Sequence, residues 1–264
     1  MEAPTGRNSR KREGAVKNAG NCINRKVLIP AISILLLLLA GGISGLLLYM
    51  GVIHINNPSR TEYPVRGVDL SHYQGEVDWE QLSKEDICFA YIKATEGSRY
   101  RDEQFERNWS EAQKTDLRIG AYHFFSLDSP GAAQAENFCG TVTFAEDMLP
   151  PVVDVEPYGN YRDPDTLDKD RLLKELGDYL QSVEACYSLK PLIYTTEEWL
   201  PVLQEEFKAY DVWIRSVYGK PDPSIRWTFW QYSNRHVLPG YSGTERYIDM
   251  NVFCGDAEAF HRYH

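Results

Sequence analysis

The chain has 264 residues, of which 43% are hydrophobic and 12% aromatic, enough for a substantial packed core and against a disordered chain. Its formal net charge of −10 is uneven: seven of 28 Lys/Arg but two of 38 Asp/Glu precede residue 54, leaving 21 basic against 36 acidic residues in the body. So acidic a body argues against a polyanion partner, and no nucleic acid is expected.

Residues 1–26 form a basic tail, and Val27 to Ile53 follow without a charged side chain. A membrane crossing needs about 20 apolar residues, whereas the apolar core of a cleaved signal peptide spans about 7–15. The run therefore predicts one uncleaved transmembrane helix over 27–53, with Ala40 as the feature that favours cleavage instead. Basic residues on its N-terminal side put the N-terminus in the cytoplasm and everything from about His54 outside. His54 to Glu62 is polar, contains Pro58 and lacks apolar periodicity, so it reads as a linker, with a globular domain over 63–264.

Within that domain, short β-rich runs alternate with longer helical ones. Strands are predicted at Val65–Leu70, Ile87–Ala94, Arg118–Phe125, Pro151–Val155, Leu192–Thr195, Asp211–Arg215, Thr228–Tyr232 and Arg246–Phe253. Helices are predicted at Asp78–Lys84, Glu103–Thr115, Gly131–Phe144, Leu167–Tyr187 and Glu197–Phe207. The fourth is the clearest, with Leu172, Leu173, Leu176, Leu180 and Val183 on one stripe. The alternation predicts an α/β fold with a parallel sheet, closed as a TIM-like barrel of five β/α units plus three β-strands.

Of five cysteines, Cys22 falls in the tail and Cys88, Cys139, Cys186 and Cys254 in the domain. An oxidising exterior permits two disulfides in any of three pairings, and the sequence does not choose. None of the four has CxxC spacing, and Cys88 and Cys186 also suit small buried hydrophobes, so no zinc site is inferred.

In a β/α barrel the reactive groups gather at the C-terminal ends of the strands. There the sequence offers Asp69, Lys93, Glu96, Tyr122, His123, Asp154, Glu156, Tyr194, Trp213, Gln231 and Asp249. Asp154 and Glu156 are two apart on a strand and project to one face, where crowding raises at least one carboxyl pKa. Glycoside hydrolysis needs such a pairing: a protonated acid for the leaving oxygen beside an ionised carboxylate. A lone Asp-x-Glu on a strand is weak evidence. Here apolar Pro151-Val152-Val153 before the pair and Pro157-Tyr158-Gly159 after it mark a buried strand opening into a loop, where unpaired carboxylates are costly. His123 alone suits a packed or hydrogen-bonded residue better than a catalyst, and Lys93 with Glu96 suits a rim ion pair. A metal-dependent hydrolase is the rival use of such a rim, but no HxH, HExxH or paired-His spacing occurs.

Eight segments in order carry a resemblance to the lysozymes of glycoside hydrolase family 25, over roughly Tyr63 to Phe260. They are Gly67-Val-Asp-Leu-Ser-His-Tyr-Gln-Gly75 with Val77-Asp-Trp79, Phe89-Ala-Tyr-Ile-Lys-Ala-Thr-Glu-Gly97, Gly120-Ala-Tyr-His-Phe-Phe125, Val153-Asp-Val-Glu156, Pro191-Leu-Ile-Tyr194, Trp213-Ile214, Phe229-Trp-Gln-Tyr232 and Ile248-Asp249. The resemblance implies the same five-plus-three barrel and a muramidase that needs no metal or cofactor. Its partner would be the glycan strands of peptidoglycan, cut between N-acetylmuramic acid and N-acetylglucosamine for wall remodelling or local wall opening. It further implies Glu156 as general acid, Asp154 as the group that stabilises the developing cation or orients the 2-acetamido group, and Asp69 and Asp249 as flanking carboxylates. Tyr122, His123, Tyr194, Trp213, Gln231, Lys93 and Glu96 would contact substrate. The sequence departs from the family at Trp213-Ile214-Arg215-Ser216, where a small residue is common after Ile; a guanidinium there would pair with a carboxylate of the wall peptide or of the muramic lactyl group. A barrel that grips peptidoglycan without cutting it is the alternative, favoured by loss of the acid, but all four carboxylates are present.

Overall fold

The computed structural model describes residues 25–143, 145 and 147–263. The expected basic tail up to residue 24, with Cys22, and the end of the helix expected to reach Phe144 lie outside them. The chain divides after Leu46 into two units.

Helix α1, Arg25–Tyr49, is apolar and has no buried residue, and it is long and apolar enough to cross a membrane. It ends four residues before the uncharged run does. Gly51 takes a left-handed φ of 69°, and the Val52 amide returns to the Leu47 carbonyl at 3.0 Å, closing the last turn.

The second unit is a closed barrel. Its strands are β1 (Arg66–Leu70), β2 (Phe89–Glu96), β4 (Arg118–Phe124), β5 (Val152–Asp154), β6 (Leu192–Thr196), β7 (Val212–Arg215), β8 (Phe229–His236) and β9 (Ile248–Phe253), while β3 (Tyr100–Arg101) forms a hairpin on β2. Neighbours from β1 through β8 run parallel. The closing strand β9 is antiparallel to both β8 and β1, so the expected barrel of five β/α units plus three strands closes with one antiparallel strand in an otherwise parallel sheet. No described helix lies between β8 and β9 to carry the chain back to the other end of the barrel, so the strand returns as a hairpin arm.

Local chemistry sets the connections. Ser71 and Gln74 close a capping box over the short turn after β1. Asp78 caps α2 (Trp79–Leu82), and Asp168 caps α5 (Lys169–Tyr187), whose Leu172, Leu176, Leu180 and Val183 are buried. Helices α3 (Phe105–Ala112) and α4 (Gly131–Cys139) occupy their expected places. Helix α6 shrinks to Leu200–Leu203 from the expected Glu197–Phe207, because Pro201 suits only a first turn and Glu197 to Trp199 form a separate turn ahead of it. A C-terminal helix, α7 (Ala257–His261), was not anticipated.

Two apolar clusters follow from strand alternation. Outward residues such as Val68, Ile92, Val153, Ile193, Ile214 and Trp230 pack under the helices. Inward ones, including Phe89, Tyr91, Val152, Leu192, Tyr194, Trp213, Phe229 and Phe253, fill the barrel. Two motif glycines make room for them: a Cβ on Gly67 would lie 2.4 Å from the Phe89 ring, and one on Gly120 2.2 Å from Tyr91.

The stretch His54 to Glu62, expected as a linker, lies against the barrel. Asn56 Nδ2 is within 3.1 Å of the carbonyls of Ser216 and Gly219 and 3.0 Å of that of Tyr232, and buried Arg66 donates to Asn57 Oδ1 at 3.2 Å. His54 stacks on His236 with ring centres 3.5 Å apart. Cys88, Cys139, Cys186 and Cys254 are free thiols. Cys88 and Cys186 are exposed rather than buried, and burial together with the neighbouring Cys186 pushes the Cys139 thiol up to about 12.

Candidate active site

The barrel interior changes character toward its mouth. Phe89, Tyr91, Trp213 and Phe229 close the lower part, and one inward step higher the same strands carry polar groups. On β5, Val152 and Asp154 point inward with Val153 between them facing out, and Glu156 continues the inward series just past the strand. Asp69, Tyr122, Asp154, Glu156, Tyr194, Trp213, Gln231 and Asp249 surround a recess of about 90 Å³. It opens into a cleft of about 560 Å³ whose walls add Tyr73, Lys93, Phe124, Arg215, Arg235 and Tyr247. A separate surface depression of about 750 Å³ near α2 and α3 is lined by Glu80, Arg107, Glu111 and Lys114. Those chains are exposed, and Lys114 is paired with Glu111 at 2.6 Å. It lacks the buried carboxylates that the barrel mouth gathers.

The antiparallel strand completes the set. Asp249 is the second residue of β9, and that end meets the C-terminal end of β1, so Asp69 and Asp249 are direct partners in register. Gln231 Nε2 donates to Asp69 at 3.0 Å and to Asp249 at 3.1 Å, while its Oε1 accepts from the Tyr194 hydroxyl at 3.0 Å. Asn251, inward on β9, donates to Asp69 at 2.7 Å and accepts from Trp213 Nε1 at 2.9 Å. Asn251 was not singled out from the sequence, although it stands two residues beyond Asp249 and so shares its face.

Burial raises the pKa of all four carboxyls. Asp69 is held back by its bonds from Asn251 and Gln231. Asp154 is pushed well up by burial and then by the charge of Glu156, Asp249 by burial and then by Asp69. Burial raises Glu156 as well, against the pull of Arg215. Asp154 Oδ1 is buried and has no hydrogen-bond partner among the described residues, an acceptor without a donor there. Burial and the surrounding negative charge hold Tyr122 and Tyr194 as neutral phenols.

Two other anticipated contact residues sit at the edge. Lys93 bonds Glu96 at 2.7 Å and lies 5.0 Å from the centre of the Phe124 ring, so Glu96 reaches the cleft through Lys93. His123 is not on the cleft wall. It follows inward Tyr122 and therefore points out of the barrel, fully buried between Thr95 Oγ1 at 2.7 Å and Gln134 Oε1 at 3.1 Å, stacked on Tyr179.

The match to known proteins covers the same residues. The pattern of the glycosyl hydrolases of family 25 fits residues 68–241. The uncharacterized protein YegX of Escherichia coli K12 is 35% identical over 204 residues, 74% of this chain and 72% of that one. Lysozyme M1 of Streptomyces globisporus is 32% identical over 206 residues, 73% of this chain and 69% of the other. A family 25 glycosyl hydrolase structure from Bacillus anthracis superposes with a TM-score of 0.74 at 45% identity, covering 80% of this chain and 97% of that one. The bacterial lysozyme of Streptomyces coelicolor gives 0.66 at 31% identity over 75% and 95%. With the closed mixed barrel, the carboxylates at its mouth and the pattern match over 68–241 in agreement, the chain belongs to glycosyl hydrolase family 25.

Proposed function

We propose that this chain is a peptidoglycan muramidase that cuts the β-1,4 bond between N-acetylmuramic acid and N-acetylglucosamine, with Glu156 as general acid. The observation that carries this reading is the buried, same-face pair of Asp154 and Glu156, in which Asp154 Oδ1 has no donor among the described residues. The 2-acetamido N–H of a bound sugar is a donor of the right kind. The lysozyme names of the relatives support the substrate class.

Two adjacent carboxyls with raised pKa values hold a proton between them. When the substrate amide donates to Asp154, it stabilises that anion, and the proton resides on Glu156. Glu156 then gives it to the glycosidic oxygen as the bond to the anomeric carbon breaks. The positive charge left on the sugar is met by ionised Asp154 and by Asp69, which Asn251 and Gln231 favour in its charged form. Tyr122 and Tyr194 flank the recess and offer faces to the apolar side of the ring, with Trp213 and Gln231 as its floor. Water adds to the anomeric carbon and gives up a proton, restoring the acid.

Helix α1 would hold the barrel at the outer face of a cell membrane, single-pass, with the N-terminus in the cytoplasm; its apolar length and the seven basic residues ahead of residue 54 support this. Protease added outside intact spheroplasts is expected to degrade the barrel, and a protected barrel would reverse the orientation.

The activity is tested by digesting purified wall with the full-length chain in detergent micelles, wild type beside Glu156→Gln, and identifying the new reducing ends by mass spectrometry. Muramic acid ends from the wild type, reduced by about 100-fold or more in the variant, are expected. Glucosamine ends mean a different bond, and equal activity in the variant moves the acid elsewhere.

A further inference from the structure

Arg215 sits on the inward face of β7, one inward step above Trp213, with fully buried Ile214 between them facing the helices. It lines the same cleft as the carboxylates Asp69, Asp154, Glu156 and Asp249. The other cations of the cleft are engaged. Lys93 bonds Glu96 at 2.7 Å, and Arg235 donates to the Tyr247 hydroxyl at 3.0 Å and lies 4.7 Å from the centre of its ring. The Arg215 guanidinium makes no hydrogen bond or ion pair with any described residue. It is close enough to draw down the pKa values of Asp69, Asp154, Glu156 and Asp249, yet it takes none of them as a direct partner. An arginine serving only as counter-ion would close the two-pronged contact that its planar fork allows. This one lines the cleft with no such contact among the described residues.

We propose that Arg215 is a recognition site for a carboxylate carried by the muramic acid residue. That carboxylate is either the lactyl group, free in strands stripped of peptide, or a carboxylate of the stem peptide joined to it. The inference rests on the muramidase reading of the cleft. A carboxylate entering a wall built from Asp69, Asp154, Glu156 and Asp249 is repelled except beside an unpaired cation, so Arg215 defines where it goes. Asp154 on β5 pairs in register with Tyr194 of β6, and Tyr194 with Trp213 of β7, so Arg215, paired with Thr196, stands two strands from Asp154 and one inward step nearer the mouth. The acetamido and lactyl groups occupy neighbouring carbons of one muramic acid ring. A ring seated on Tyr194 with its amide toward Asp154 therefore turns its lactyl side toward Arg215. N-acetylglucosamine has no such group, so Arg215 also selects which sugar occupies this position.

The test measures binding to the full-length chain in detergent micelles, in a Glu156→Gln background that prevents turnover, with and without Arg215→Ala. The probes are peptide-free glycan oligosaccharides with free lactyl carboxylates, the same oligosaccharides with those groups converted to methylamides, and oligosaccharides that keep their stem peptides. Arg215→Ala is expected to weaken binding of a carboxylate-bearing probe by about tenfold or more and to leave the methylamide within about twofold. Loss confined to the peptide-free acid assigns the lactyl group, and loss confined to the peptide-bearing probe assigns the stem peptide. Arg215→Lys, which keeps charge without the fork, should recover part of the loss and stands in if the alanine variant does not fold. Equal weakening of acid and methylamide, or no weakening of any probe, overturns the proposal. If the unmutated chain binds these probes with the predicted Arg215 dependence but never cleaves wall, the muramidase reading fails and the carboxylate site stands.

Discussion

Gln231 donates to Asp69 across 3.0 Å and, with the same amide nitrogen, reaches Asp249 at 3.1 Å, so one neutral side chain bridges two buried carboxylates whose pKa values burial raises. Replacing it with leucine removes both donors and the acceptor used by Tyr194. Gln231→Leu is expected to lower kcat/KM on wall glycan by about 100-fold through misplacement of these groups. An unchanged kcat/KM in a folded variant would show that the bridge is structural only.

The carboxylates at the mouth should cost stability at neutral pH. Burial raises Asp154 above its unfolded value, so its favourable contribution is present at low pH and is lost as pH rises through the folded pKa. Asp154→Asn should therefore abolish most activity and raise Tm at pH 7, by about 2–4 °C for each kcal/mol relieved in a domain of this size. The gain should shrink toward pH 4. A lower Tm at pH 7 contradicts this.

Buried His123 works in the opposite sense. Burial depresses it to about 3, so the folded chain keeps it neutral while the unfolded chain protonates it near its usual 6.5. Its Nε2–H faces the Gln134 carbonyl oxygen and its Nδ1 accepts from Thr95, a pairing that suits the neutral ring. Between those two pH values this residue should cost about 1.4 kcal/mol of stability per pH unit of acidification. His123→Gln should flatten the acid side of the stability profile by that slope while leaving activity at neutral pH little changed. Parallel acid-unfolding profiles for wild type and variant would remove His123 as a cause.

Asn56 ties the segment ahead of the barrel to three carbonyls, at 3.1, 3.1 and 3.0 Å. Asn56→Ala should destabilise the domain by about 1–3 kcal/mol, because those carbonyls lose a donor. A chain begun at Tyr63 should unfold at lower temperature than one begun at His54, with similar turnover at 25 °C. Equal melting temperatures would mean that the segment merely rests on the surface.

Strand positions, the barrel class, the apolar helix and the Asp154–Glu156 pair were legible from sequence because each depends on local periodicity: two residues per repeat in strands, 3.6 in helices, and an uncharged run for α1. The same periodicity separates Tyr122 from His123, since neighbours on a strand face opposite ways; applied strictly, it takes His123 out of the cleft. The exposure of Gly51 to a tight turn and the brevity of α6 are likewise written in Gly51 and Pro201.

Tertiary structure alone decided what depends on strands meeting across the ring. The return of β9 as an antiparallel arm brings Asp249 against Asp69 and turns Asn251 and Gln231 into their donors, across more than 160 residues of chain for the Asp69 bonds. No local pattern encodes the direction of a closing strand, which follows from the space left between β8 and β1. Nor does composition reveal that Asn56 binds three distant carbonyls or that the Arg215 guanidinium has no partner among the described residues, because both depend on which neighbours the closed barrel places within hydrogen-bond reach.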